Sequence, residues 1–318
     1  MHCCQSCVGS FALLVLGRCA STRQILSKLT HRQSVRAAIC SFASVAVAFA
    51  CVILPAHAQP THSNKQAVTS DAARREAIKL VPLGNIHRKY RSSVNKVMTD
   101  CSLFRRMPTQ MVDCDPQLFT FLAQNPEILV EMWQDMGISR VSLHRTGPTT
   151  FDLSDGAGTT GKLVIVEQKC DDRAQNRIVM YSEGAYEGKP FKRPVRAQCV
   201  LVLRSGSITE TNGRDFVACR LDTFVRIERT SIELFAKAMH PWVGKTADAN
   251  FADTVGFVSS LSKAAERRPE KIERLVNRLP RVTSQRQQLL VKLAYACSEK
   301  YDEPTSRVAS KAEVTDHK

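Results

Sequence analysis

The sequence predicts an α+β protein, in which a curved antiparallel sheet of about six strands is packed with N-terminal and C-terminal helices. Three observations predict it. Ile138 to Arg229 is the only long stretch that reads as one short apolar run after another, broken by turn residues. Within it, Phe216 to Glu228 alternates with period two, which places successive side chains on opposite faces of a strand. On both sides of the stretch the apolar period lengthens to that of an α-helix.

The first 58 residues contain no Asp or Glu and carry Arg18, Arg23, Lys28, Arg32 and Arg36. An apolar run from Ala37 to Leu54 follows, then Pro55-Ala56-His57-Ala58-Gln59. A basic flank, an apolar core and a small-x-small exit describe a signal peptide cut between Ala58 and Gln59. Its core lies far from Met1, so either translation starts downstream or the leader is unusually long. The 18 residues of Ala37–Leu54 also approach the length of an uncleaved anchor, and Cys51 offers a weaker lipoprotein reading. Small residues and the Ala-x-Ala exit favour cleavage, which leaves no membrane span and an exported protein, periplasmic or extracellular.

Residues 59–70 read as a flexible linker and 71–137 as a helical segment belonging to the same domain as the sheet. Ser70 caps a helix over Asp71–Val81, ended by Pro82 and Gly84. A basic stretch with Tyr90 and Phe104 interleaved follows, and Val94, Val97 and Met98 give it an apolar stripe. An amphipathic helix explains that pattern without nucleic acid. Asp115-Pro116 pairs a capping carboxylate with proline at the first helical position, and Asn125-Pro126 repeats the device.

The expected strands are Ile138–Arg145, Thr149–Ser154, Lys162–Lys169, Arg177–Glu183, Cys199–Leu203 and Phe216–Glu228. Gly147-Pro148, Asp155-Gly156-Ala157-Gly158 and Asn212-Gly213 are too short for parallel crossovers, so neighbours run antiparallel. Phe224 interrupts the polar face of the last strand, marking something that covers it. After Arg229 come helices over Ser231–Met239, interrupted by Pro241 and Gly244, then Thr246–Arg267, Pro269–Leu279 and Thr283–Ser298. Glu299–Lys318 is polar and expected to be disordered.

The leader holds five of 45 basic residues and none of 30 acidic ones, so residues 59–318 carry 40 − 30 = +10. A basic exported protein meets anionic glycans, lipid head groups or nucleic acid by simple charge attraction. Six of the 12 cysteines remain after cleavage: Cys101, Cys114, Cys170, Cys199, Cys219 and Cys297. In an oxidising compartment an even count points to disulfides, with Cys101–Cys114 expected because both lie in one loop-rich segment. Cys199 and Cys219 stand in apolar strand context, where cysteine also packs as a buried free thiol.

No motif defines an active site. His144 and His240 lack close-spaced partners, which excludes an obvious zinc site. The glycine-rich loop at 155–161 runs into Leu163-Val164-Ile165-Val166, a strand, so it reads as a hairpin rather than a phosphate loop. There is no Gly-x-Ser-x-Gly, and a trio such as Ser154, His144 and Asp222 is offered by any chain of this length. Asp171 and Asp172 read as solvated turn residues.

Cys114-Asp115-Pro116, Arg145-Thr146-Gly147-Pro148, Ser154 to Thr159, Tyr186-Glu187-Gly188, Arg193-Pro194-Val195-Arg196 and Gly244 to Asp248 resemble a family of uncharacterised exported bacterial proteins, usually labelled only as signal-peptide proteins. The resemblance spans about Leu103 to Val282 and implies no activity. In layout alone, the chain is similar to the helix-grip superfamily of START and polyketide-cyclase proteins. That resemblance implies a sheet wrapped around a long helix, with a cavity for lipids or other apolar molecules.

The functional expectation is therefore an exported binding protein without a cofactor, holding an apolar small molecule or lipid between the sheet and the helix Thr246–Arg267. His144, Tyr181, Glu183, Phe224, Phe251 and Val255 are the expected lining. The alternative is an envelope interaction protein that uses a basic surface on anionic glycan or lipid. An enzyme built on a cavity fold ranks third.

Overall fold

A computed structural model describes residues 67–170, 175–188, 191 and 193–302, with backbone alone for 229–245 and for residue 302. The leader, its Ala58–Gln59 junction, most of the linker and the tail beyond residue 302 lie outside those residues.

The chain folds as α1 (Asp71–Lys79), α2 (Arg88–Thr99), β1 (Leu103–Arg106), β2 (Gln110–Val112), α3 (Pro116–Gln124), α4 (Pro126–Asp135), β3 (Ser142–Arg145), β4 (Thr150–Ser154), β5 (Thr159–Lys169), β6 (Asn176–Tyr186), β7 (Val195–Thr209), β8 (Asp215–Ile227), α5 (Arg229–Arg267), α6 (Pro269–Val276) and α7 (Ser284–Asp302). The α+β class and the curved, open antiparallel sheet are as expected, but the sheet has eight strands. Its order is β1-β8-β7-β6-β5-β4-β3, with β2 also on β8. Strands β3 to β8 form the expected meander. The two additional strands come from Leu103–Val112, whose partners on β8 lie more than a hundred residues away in sequence. Local pattern carries no trace of such a pairing.

Caps set several boundaries. The Ser70 hydroxyl accepts from the Ala73 amide at the head of α1. Asp115 accepts from the amides of Gln117 and Leu118 at the head of α3. Asn125 makes no such cap for α4; its side-chain amide donates instead to Phe121 O, closing α3. In the β4–β5 hairpin, Asp155 Oδ1 accepts from Ala157 N and Thr159 N, while Gly156 and Gly158 take positive φ. Two expected boundaries fail. α5 runs unbroken through Pro241 and Gly244, because a proline inside a helix removes one backbone bond and a 39-residue helix keeps the rest. α7 continues to Asp302, held there by Lys300, which bridges Asp115 and Asp215.

The sheet lies between two helical layers, each with its own core. On one face α1 and α2 bury Ala77, Val94, Val97 and Met98 against Phe104, Val164, Val179, Tyr181, Val200, Val202 and Phe224. Each such large side chain contributes about 1.5–3 kcal/mol on removal from water. The Phe104 and Phe224 rings lie 5.0 Å apart. What covers Phe224 is thus β1 and α2. On the other face α3 to α7 pack on Phe151, Leu163, Ile178, Cys199, Leu201, Cys219 and Leu221. The described half of α5 packs along the short edge strand β2 and against α6 and α7, with Phe257 edge-on to Trp133 of α4 at 5.9 Å.

Candidate functional site

Directly opposite residues of an antiparallel pair share a face, so the register shows what meets beside α1. Arg204 of β7 lies opposite Arg177 of β6 and Arg220 of β8, and Arg106 of β1 lies opposite Asp222 of β8. All are on the α1/α2 face, just past the apolar band that the helices cover. Strand alternation in a half-covered sheet therefore collects arginines at one end.

Asp222 is the hub, with 1% of its side chain exposed. Its Oδ1 accepts from Arg106 Nε at 2.7 Å and its Oδ2 from Arg204 Nη2 at 2.6 Å. Arg106 also donates to Glu76 Oε2 of α1 at 2.9 Å and to Ala73 O at 3.3 Å. Burial works against the Arg106 cation, yet its hydrogen bonds to Asp222 and Glu76 outweigh that and hold its pKa above the ordinary value. Hydrogen bonding from Arg106, and then its charge, pulls the Glu76 carboxyl below the usual range.

Arg177 is paired with Glu167 at 2.8 Å, whereas Arg204 and Arg220 are less well served. Arg204 Nε is buried and meets no hydrogen-bond partner among the described residues. Arg220, 30% exposed, has its ion-pair contact with Glu76 Oε1 at 3.8 Å, beyond hydrogen-bond range. Burial lowers the Arg220 pKa, and the like charges of Arg204 and Arg106 lower it further. Three guanidiniums thus face two carboxylates, Asp222 and Glu76, leaving one positive charge in excess.

Arg204 and Arg220 line a cleft of about 470 Å³. Its floor continues through Gly206 and Ala218 to Ile208, and Thr109 and Gln175 stand at its sides. Planar guanidinium forks bind carboxylate or phosphate oxygens in pairs, so the chemistry available here is anion binding.

A second cleft, of about 530 Å³, lies at the opposite end of the same sheet. Lys162, Glu183, Gln198 and Arg226 form a row across β5, β6, β7 and β8. Arg226 donates to Gln198 Oε1 at 3.0 Å, Gln198 to Tyr181 Oη at 2.9 Å, and Tyr181 to Glu183 Oε2 at 2.9 Å. Burial, then the bond to Glu183, pushes the Tyr181 phenol up to about 12. The bonds of this chain are used internally. A third cleft, about 190 Å³ and lined by Asp115, Asp215 and Lys300, is closed by the bridge that seats α7.

The six residues expected to line one cavity do not converge. Tyr181 and Phe224 are buried under α2, Phe251 and Val255 belong to the core on the other side of the sheet, and His144 and Glu183 are exposed. The expected Cys101–Cys114 disulfide is corrected likewise. Both thiols are free, Cys114 packed in the α3–α7 core and Cys101 against the α1/α2 core, with the sheet between. Sequence proximity misled because β1 and β2 carry the chain across the edge of the sheet. Asp222 serves the arginines, while His144 stands on the far edge strand β3 and Ser154 on its neighbour β4, so they make no triad. No group of three metal-ligating side chains occurs among the described residues. No described helix is long and apolar enough to cross a membrane.

The arginine cleft is absent from sequence reasoning. Its visible signal was modest: Arg204 ends the run Val200-Leu201-Val202-Leu203, and Arg220 and Asp222 fall on the polar alternation of β8. Nothing local said that they meet.

No protein-family model matches the chain, and no curated protein does. Among solved structures it is similar to a conserved protein from Geobacillus kaustophilus, at 10% identity and a TM-score of 0.33, over 49% of this chain and 93% of that one. A likeness of that size carries no argument about fold or function.

Proposed function

We propose that this is an exported binding protein whose ligand presents an anionic group, taken by Arg204 and Arg220. Of the three functions expected from sequence, this reading is nearest the second, an envelope interaction protein that uses a basic surface on anionic glycan or lipid. The single observation that carries it is Arg220: a half-buried cation, crowded by two others, with a carboxylate only at 3.8 Å. An arriving anion relieves that crowding at the exposed side of Arg220, beside Arg204 on the neighbouring strand. Arg106 and Asp222 hold the site in place and need not touch the ligand.

The test is calorimetric titration with inorganic pyrophosphate, comparing the natural protein with Arg220→Met. Arg220 neutralises no buried carboxylate, so its loss leaves the fold intact. Saturable binding that weakens at least tenfold in the variant, and weakens with added salt, supports the reading. Equal binding by both proteins refutes it.

A further inference from the structure

We infer that the ligand of the arginine cleft is an anionic amphiphile, a single molecule with a charged head and an alkyl chain. The inference rests on the anion-binding reading above and adds the nature of the ligand's body. It comes from what lies beyond the arginines on the same strands. Arg204, Gly206 and Ile208 alternate onto one face of β7, and Arg220, Ala218 and Phe216 lie opposite them on β8. Met111 of β2 lies opposite Ala218 on its other side.

The two smallest residues therefore occupy the middle of a row, flanked by large apolar side chains that solvent reaches. Ile208 is 47% exposed and Met111 54%. A Cβ built on Gly206 meets nothing within 4 Å, so the floor there is open. Among the described residues, β6 pairs with β7 only as far as Ser205, and the remainder of β7 is paired by β8 alone. The trough thus lies past the end of β6, on the β7–β8 arm with β2 alongside, outside the described helices that cover the centre of the face. From Arg204 to Ile208 it runs about 13 Å at the rise of an extended strand. Positive charge at one end and an apolar trough that no described residue covers, leading away from it, match a head-and-chain molecule. A free phosphate uses only the first part, and an uncharged alkane only the second.

The experiment compares dodecyl phosphate, kept below its micelle concentration, with methyl phosphate. The proteins are the natural chain, Gly206→Leu and Arg220→Met, each checked for fold by circular dichroism. Gly206 is not in the left-handed backbone region, so leucine there fills the trough without backbone strain. Each methylene removed from water raises affinity about fourfold, so four of them give roughly two-hundredfold. The expected result is dodecyl phosphate binding at least a hundredfold more tightly than methyl phosphate. Gly206→Leu should cost it tenfold or more without changing methyl phosphate, and Arg220→Met should weaken both. Equal affinity for the two phosphates overturns the amphiphile while leaving the anion site standing. Insensitivity of both phosphates to Arg220→Met overturns the anion site itself. Co-sedimentation with phosphatidylglycerol vesicles that ignores Gly206→Leu, with no monomer binding, also overturns the inference in favour of adsorption to a bilayer.

Discussion

Replacing Asp222 by Asn removes one negative charge and almost no volume from the centre of the arginine cluster. Two guanidiniums lose the carboxylate they share, Arg106 at 2.7 Å and Arg204 at 2.6 Å, in a place where water reaches 1% of the Asp222 side chain. Breaking a buried ion pair from one side costs about 3–5 kcal/mol, because the remaining charge stays buried without compensation. Arg106 keeps Glu76 and the Ala73 carbonyl, which places the expected loss near the lower figure, about 3 kcal/mol. That is a large share of the roughly 5–15 kcal/mol by which domains are stable. With a urea slope of about 2 kcal/mol/M, the unfolding midpoint should fall by about 1.5 M. The assay is urea unfolding at neutral pH, followed by circular dichroism with the slope fitted independently. Arg204→Met in the Asp222→Asn background should return part of the loss, since it removes one of the two stranded cations, and the departure from additivity measures the coupling. Pyrophosphate should raise the midpoint of Asp222→Asn more than that of the natural protein, because the cleft is then more positive and the ligand binds only the folded state. A loss below about 1 kcal/mol, the size of an exposed pair, would refute the claim that this cluster is buried and coupled.

Burial acts against the Asp215 carboxylate, yet the bonds from Lys300 and Thr209 prevail and lower its pKa below the usual 3.8. Its contribution to stability is therefore fully present above pH 3.8 and is lost as pH falls from there through the depressed folded value. Asp215→Asn should unfold more easily in urea than the natural protein at pH 7, and the gap should close in strong acid. Trp133→Ala, beside Phe257 in the α3–α7 core, should cost about 3–5 kcal/mol by the same urea assay. Burial pushes the Cys199, Cys219 and Cys297 thiols up to about 12, so in native protein at pH 8 they should alkylate far more slowly than the partly exposed Cys101. Mass spectrometry with and without denaturant checks this. Gly158→Ala should destabilise measurably, because φ is +111° and the new Cβ would lie 2.5 Å from Glu187 O. A thermal melt of the variant checks it.

Much of the fold was legible because its causes are local. Asp115-Pro116 caps a helix wherever it occurs, and Asn212-Gly213 turns a hairpin through backbone preferences alone. The alternation in Phe216–Glu228 named the wetter face of β8, and Phe224 within it marked where that face is covered. The site was less legible. Arg106, Arg204, Arg220 and Asp222 come from three strands, and one of these, β1, drew no strand signal because four residues are too few for a period. Cys101 and Cys114 show the opposite failure. They are near in sequence, yet the chain between them crosses the sheet edge and leaves them in separate cores.

The amino-acid order alone determined the class of fold, the antiparallel meander from β3 to β8, most helix starts and the net basic charge. Each depends on periodicity, capping or composition within a few residues. Tertiary structure alone decided that Leu103–Val112 would extend the sheet beyond β8, that α5 would settle along that edge, and that three arginines would share two carboxylates beside an open apolar trough. Those outcomes require burying one surface against another that is distant in the chain, and contact energy between such surfaces leaves no mark on either local pattern.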